Sequence, residues 1–299
     1  MIYALGHKNP DTDSIIAAIA QAHRIGATPA AQSDPNPETQ FVLDKFGLNA
    51  PKILTSVAGK NIFIVDTNDP AQLPDDIDQA NIIGIVDHHQ LVGKLKTPGP
   101  IEVTIRPYGC TCTIIAKRFM RRRIDIPQNL AGAMLCAILS DTVMFKSPTS
   151  TKSDREMAEM LALIADLDIN EIGLEIMKIK SDISNETSNS LLNRDIKEFD
   201  INGKRFAIAQ VELVNGKMIE PFVTELRHEM AELKHGKKLD GVIMIITDIM
   251  KDGSTLILET NDNKKIQSLF KALTKDESAF VPGLLSRKKQ VIPVLTANL

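Results

Sequence analysis

Short apolar runs recur along the first half of the chain, and each ends abruptly. Ile2–Leu5 stops at Gly6, Ile62–Val65 at Asp66 in IFIVD, and Ile82–Val86 at Asp87 in IIGIVDHH. Short apolar runs bounded by turns read as strands buried on both faces, the pattern of a parallel sheet. Helical spacing of apolar positions predicts helices over about 13–24, 111–123, 127–139, 153–165 and 169–179. Pro127 suits the first turn of its helix, where a missing N–H costs nothing. From 181 to 194 the chain turns polar, SDISNETSNSLLNR; the segment has room for a helix, but its serine and asparagine content favours a connection between domains. Beyond it, strands are expected over 205–213, 242–249, 255–259 and 290–295, and helices over 221–234 and 264–273. The expectation is an α/β protein of two domains. Residues 1–184 would carry a mainly parallel sheet flanked by helices, 185–194 would link, and 195–299 would form a smaller mixed-sheet α/β domain.

Composition narrows the partners. At 299 residues, 43% hydrophobic and 24% charged, the chain has ample material for such cores. A net charge of −3 supplies no field for non-specific nucleic-acid binding, and two tyrosines without a tryptophan argue against a stacking surface. No apolar run approaches the length that spans a bilayer, so no membrane association is expected. The five-residue apolar start has no basic region before it and is not expected to be a signal peptide. Three cysteines, Cys110, Cys112 and Cys136, fit reduced thiols in the cytoplasm. Cys110 and Cys112 have no second pair, so no structural zinc site is expected.

Parallel sheets bind ligands beyond the carboxyl ends of their strands, and the acids and imidazoles of this chain fall there. His7, Asp11 and Asp13 follow the first strand in GHKNPDTDS. Asp66 ends the second quoted run, and Asp87, His88 and His89 end the third. Asp141, in LSDT after a predicted helix, can reach the same rim. Carboxylates mixed with imidazoles suit Mn²⁺, Co²⁺, Fe²⁺ or Zn²⁺. His7, Asp11, Asp13, Asp66, His88 and Asp141 include four carboxylates, whose charge balances two divalent ions. Such a pair can hold a bridging hydroxide and stabilise in-line attack on phosphorus. Taken singly, Asp13 also suits a helix cap or first-turn acid, His7 a structural role, and Asp87 the orientation of a neighbouring histidine. The second half carries the opposite charge. SRKKQ, Ser286–Gln290, is either a solvated basic turn or a phosphate site in which Arg287 acts as a fork and Lys288 as a point charge, with Lys197 nearby. Arg121–Arg123 ends a predicted helix, where it complements the helix dipole.

GHKNPDTDS, VDTND, VDHH, SDT and SRKKQ occur in the order of the DHH phosphoesterase superfamily. More narrowly, the whole chain resembles the family II, manganese-dependent inorganic pyrophosphatases. The resemblance implies hydrolysis of pyrophosphate, with His7, Asp11, Asp13, Asp66, His88 and Asp141 binding two Mn²⁺ or Co²⁺ ions and Asp66 bridging them. It implies that His89 contacts substrate and assists proton transfer to the leaving phosphate. It implies that Lys197, Arg287 and Lys288 bind pyrophosphate, which arrives with Mg²⁺. Members of the family dimerise through the first domain and close the second over the site. Two relatives of other activity compete. A DHH oligonucleotide phosphodiesterase usually has a glycine-rich GGGH-like segment, which this chain lacks. An exopolyphosphatase typically lacks the histidine that stands here as His7.

Overall fold

Parallel pairing joins β1 (Ile2–Leu5), β2 (Thr28–Ala31), β3 (Lys52–Ile53), β4 (Asn61–Val65), β5 (Asn81–Asp87) and β6 (Glu102–Ile105) into one six-stranded sheet. This is seen in a computed structural model, which describes residues 1–270 and 278–299. The strand order is β3-β2-β1-β4-β5-β6, so the winding reverses between β1 and β4. A crevice opens at such a switch point, and the loops after β1 and β4 begin with Gly6-His7 and Asp66. The sheet belongs to a first compact unit, Met1–Ile179. Its helices are α1 (Thr12–Ile25), α2 (Pro37–Lys45), α3 (Thr111–Arg122), α4 (Gln128–Asp141), α5 (Lys152–Ala165) and α6 (Ile169–Lys180). Leu5, Ile62 and Ile64 from the strands, Ile15, Ile16, Phe119, Leu135 and Ile138 from the helices, are fully buried. α4 is buried along almost its whole length, Leu130 to Ser140, which explains why it reads as a continuous apolar run.

The second unit, Lys180–Leu299, is built on a mixed sheet. Its strands are β7 (Ile196–Ile201), β8 (Lys204–Leu213), β9 (Gly241–Asp248), β10 (Gly253–Thr260) and β11 (Ser278–Pro282), in the order β11-β10-β9-β8-β7. Among the described residues, β8 and β9 pair in parallel and the other neighbours antiparallel. Alternation along β8 and β9 feeds two cores. Ala207, Ala209, Val211, Val242, Met244 and Ile246 meet Leu226 and Met230 of the helix Val223–Lys237. Phe206, Ile208, Ile243 and Ile245 meet Ile266 and Leu295, from the shorter helices at 263–269 and 292–298. The sheet is therefore covered on both faces, as its unbroken apolar strands require.

Several segments differ from expectation. Residues 185–194 are not bare connection: Ser188–Asn193 forms a helix whose Leu191 and Leu192 are buried in the second unit's core. Residues 290–295 were expected as a strand, because Val-Ile-Pro-Val-Leu is apolar and largely β-branched. They instead follow a wide helical turn, Arg287–Val291, into the helix Ile292–Asn298. Pro293 sits in that helix's first turn, where it is tolerated, and Ser286 caps the wide turn by accepting from the Lys289 N–H. Strands β2, β3, β6, β7 and β11 and helix α2 had not been expected; they are short or lie at sheet edges, with weak patterns. The helix expected over 264–273 is observed over Asn263–Leu269, and 271–273 lie outside the described residues. Pro127 is the residue before α4, not its first member, and Asp141 is the last member of α4.

One buried carboxylate fastens the entry of α3. Asp154, fully buried, accepts from the N–H of Gly109, from Thr113 Oγ1, and from the N–H and Oγ1 of Thr151. Gly109 has no room for a side chain, since a Cβ there would lie 2.7 Å from Thr142 Cγ2. Asp154→Ala strands these buried donors, so urea melts should show a loss of about 2–4 kcal/mol. An unchanged midpoint would mean that the donors find other partners.

Candidate metal centre

The turn after β1 is shaped by one close approach. A Cβ on Gly6 would lie 2.0 Å from Ser14 Oγ, and the His7 N–H donates to that same oxygen at 3.1 Å. Only glycine permits this contact. Asp11 is the N-cap of α1, its carboxylate accepting from the Ser14 N–H at 2.9 Å. Asp13, in the first turn of α1, does something else. Its two oxygens accept from the N–H groups of Thr111 (2.6 Å) and Cys112 (2.9 Å), the first residues of α3. The acid of one helix thus caps the N-terminus of another, and the dipole of α3 favours its charge.

After β4 the backbone turns sharply. Asp66 has φ +58°, a left-handed conformation that aspartate tolerates better than most residues. Its N–H is anchored on the Val86 carbonyl at 2.9 Å, and its carboxylate is buried. Oδ1 accepts from Thr111 Oγ1 at 2.9 Å, whereas Oδ2 is buried without a hydrogen-bond partner among the described residues. His7 Nε2 lies 3.3 Å from Asp66 Oδ2 and 3.7 Å from Asp11 Oδ1. His88 Nε2 lies 3.5 Å from Asp66 Oδ1 and 3.9 Å from Asp141 Oδ2. These spacings are long for hydrogen bonds. They suit atoms sharing an ion, which at bonds of about 2.1 Å lie roughly 3–4 Å apart.

Two donor groups stand out: His7, Asp11 and Asp66 in one, Asp13, His88 and Asp141 in the other, each with ligand atoms within 4.8 Å of one another. All six candidate ligands thus converge in the first unit, and the His88–Asp66 contact joins the groups. Burial first, then the charges of Asp13 and Asp11, push the Asp66 carboxyl well above its ordinary value. Divalent cations would relieve that repulsion and supply the orphaned Oδ2 with a partner. The donor set therefore fits two borderline divalent ions.

The histidines are oriented differently. The Tyr108 carbonyl lies 3.1 Å from His88 Nδ1, so an Nδ1–H can donate to it while Nε2 faces the acids. His89 is exposed, with Nδ1 held 2.9 Å from Asp87 Oδ1. That bond raises the His89 pKa, outweighing the opposing effect of partial desolvation by the neighbouring residues. Burial pushes Asp87 up, but hydrogen bonds from His89 and Asn68 outweigh it and hold the carboxyl below its usual value. Asp87 is saturated by these donors and orients His89. Cys110 and Cys112 also approach Asp13, but burial pushes both thiols well up, and a neutral thiol is a poor ligand. All three cysteines are free and buried.

In the second unit, Arg287 is nearly buried. Its Nη1 donates to the carbonyls of Asp195 (2.6 Å) and Ile208 (2.8 Å), and its Nη2 to both Asp195 carboxylate oxygens (2.9 and 2.8 Å). Lys197 Nζ, largely exposed, is 3.7 Å from the same carboxylate, and Lys288 is exposed. Neither Thr111 nor Asp195 had been singled out from sequence. Thr111 carried no signal beyond its place at a helix start, and Asp195 looked like any surface acid in RDIKEF.

Residues 1–138 match the DHH family N-terminal domain and 174–298 the DHHA2 domain. The chain is 41% identical to the manganese-dependent inorganic pyrophosphatase of Methanocaldococcus jannaschii, over 99% of this chain and 98% of that protein. It is 36% identical to that of Bacillus subtilis, over 99% and 97% respectively. Its structure superposes on that of a candidate family II inorganic pyrophosphatase of Methanococcus jannaschii with a TM-score of 0.75 and 40% identity, covering 100% of this chain and 99% of the other.

Asp87→Asn removes the charge that favours the His89 imidazolium while keeping an acceptor in place. The His89 pKa, followed by NMR in metal-free protein, should fall. An unchanged value would assign the upward shift to other acids.

Proposed function

The chain belongs to the manganese-dependent, family II inorganic pyrophosphatases, and on that premise we propose how its residues divide the work. The enzyme is a hydrolase that cleaves inorganic pyrophosphate into two phosphates. His7, Asp11 and Asp66 would hold one Mn²⁺, and Asp13, His88 and Asp141, with Asp66, a second. The observation that carries this reading is the buried, unpaired Oδ2 of Asp66, beside His7 on a carboxylate that also touches His88. Co²⁺ suits the same nitrogen and oxygen donors, and Mg²⁺ suits the all-oxygen substrate it accompanies. When bound, the paired ions activate water and offset charge at phosphorus.

The remaining steps belong to side chains. Asp87 holds His89 Nδ1, so the exposed imidazole presents Nε2 to substrate and donates a proton to the leaving phosphate. Lys197 and Lys288 meet phosphate oxygens as point charges. Arg287 takes part by exchanging the carboxylate of Asp195 for phosphate oxygens, since both groups offer the guanidinium a pair of anionic oxygens. The free thiols suit a reducing compartment, and we place the enzyme in the cytoplasm. Strand β6 is an edge of the first sheet with Val103 49% exposed, and it suits ladder pairing with a second copy.

The deciding assay is phosphate release from pyrophosphate, long-chain polyphosphate and a dinucleotide, with Mn²⁺ or Mg²⁺. Pyrophosphate should be preferred by at least roughly 100-fold, about 2.7 kcal/mol in the barrier. Preference for polyphosphate or the dinucleotide would overturn the assignment. Asp66→Asn keeps shape and tolerance of the left-handed turn, and should lose bound manganese and activity while remaining folded. Full activity would remove the shared-carboxylate reading. Lys288→Ala should raise KM about tenfold, about 1.4 kcal/mol of binding, with manganese content intact. For the edge strand, Val103→Lys should shift light scattering from dimer towards monomer; an unchanged mass would place the contact elsewhere.

A further inference from the structure

The first residue of α3 touches both donor groups. Its N–H donates to Asp13 Oδ2 at 2.6 Å and its hydroxyl to Asp66 Oδ1 at 2.9 Å. This residue is Thr111, fully buried. Asp13 and Asp66 come from different elements, one from the first turn of α1 and the other from the turn after β4. Among the described residues, Thr111 donates the hydrogen bond that the Asp66 carboxylate receives; the imidazoles of His7 and His88 stand at 3.3 and 3.5 Å. We infer that Thr111 is a positioning residue for the manganese pair: its hydroxyl sets the plane of the shared Asp66 carboxylate and its amide sets Asp13.

The chemistry favours this arrangement. A carboxylate on a short side chain rotates about its terminal torsion over a broad range. A single hydrogen bond to Oδ1 stops that rotation and aims Oδ2 towards His7. At the first helical position a threonine hydroxyl has no carbonyl of its own helix to bond, so it is free to donate outward. The backbone N–H groups of Thr111 and Cys112 are orphan donors at that helix end, and Asp13 satisfies both. The start of α3 is itself held by Gly109 and Thr113 on Asp154, so the donor that aims Asp66 sits on a fixed base. Groups that orient ligands in this way typically alter metal affinity by 10–100-fold when removed.

This inference rests on the manganese reading above. The test is Mn²⁺ titration of metal-free protein, with free ion read by electron paramagnetic resonance. Thr111→Val removes the hydroxyl, keeps the shape and keeps the amide. Its Mn²⁺ affinity should fall at least about tenfold. Thr111→Ser keeps the hydroxyl and should bind as the wild type does. Wild-type affinity in the valine variant would overturn the inference, and so would a serine variant as weak as valine. If the valine variant does not fold, Thr111→Ala gives the same reading: a tenfold loss supports the inference and wild-type affinity overturns it. A wild-type chain that binds no Mn²⁺ would instead defeat the manganese reading itself, and the inference with it.

Discussion

Mutual repulsion among buried carboxylates is the constraint around which the first unit is arranged. Asp66 is buried, and Asp13 and Asp11 both act to disfavour its charge. Two like charges 4 Å apart at a protein surface repel by roughly 4 kcal/mol, and burial adds to that. The fold answers with oriented dipoles and donors. Asp13 is placed on the N-terminus of α3, Asp11 on the N-terminus of α1, and Asp66 takes the hydroxyl of Thr111. These terms offset only part of the repulsion. Divalent cations would complete the balance, which is why the donor set points to them more strongly than any one residue does.

The topology makes this crowding possible. β1 and β4 are neighbours in space although α1, β2 and β3 intervene in sequence, so His7 and Asp66 emerge side by side. β5 follows β4 in the sheet and delivers His88 to the same rim. The second unit handles the opposite charge by a similar device. Arg287 is buried with its guanidinium spread over Asp195 and two carbonyls, and Lys197 stands by the same carboxylate. A carboxylate with the fork geometry of a phosphate keeps that cation desolvated and in place.

Much of this was legible in the sequence, and the reasons are local. The runs ending at Asp66 and Asp87 are continuous and β-branched, so both strands and their ends could be read to within a residue. The converging acids followed from the rule for parallel sheets, because it concerns strand ends and not side-chain detail. What failed was of another kind. QVIPVL looks like a strand, and only the cap at Ser286 and the position of Pro293 turn it into a helix. Edge strands such as β6, EVTI, bury too little to show a pattern. Thr111 was invisible because its role depends on a packing contact between α3 and the β4 turn, which no spacing in the sequence records. The same holds for the fork of Arg287 on Asp195, two residues far apart in the chain.

Asp66 and Asp87 show how far position alone can mislead. Both end adjacent parallel strands, both are buried, and both precede polar residues. Asp87 is surrounded by donors: the His89 N–H and imidazole, and the amide of Asn68, which is itself tied to the Val92 N–H and the Gln90 carbonyl. Its charge is satisfied by protein, and its pKa falls. Asp66 faces acids, one hydroxyl and two imidazoles too distant for good hydrogen bonds, and burial with the neighbouring acids raises its pKa. A carboxylate already saturated by N–H groups gains little from a cation, whereas one left with a bare oxygen gains a great deal. The better candidate ligand of the two is therefore the one the protein leaves incomplete, and the complete one becomes the anchor for the histidine beside it.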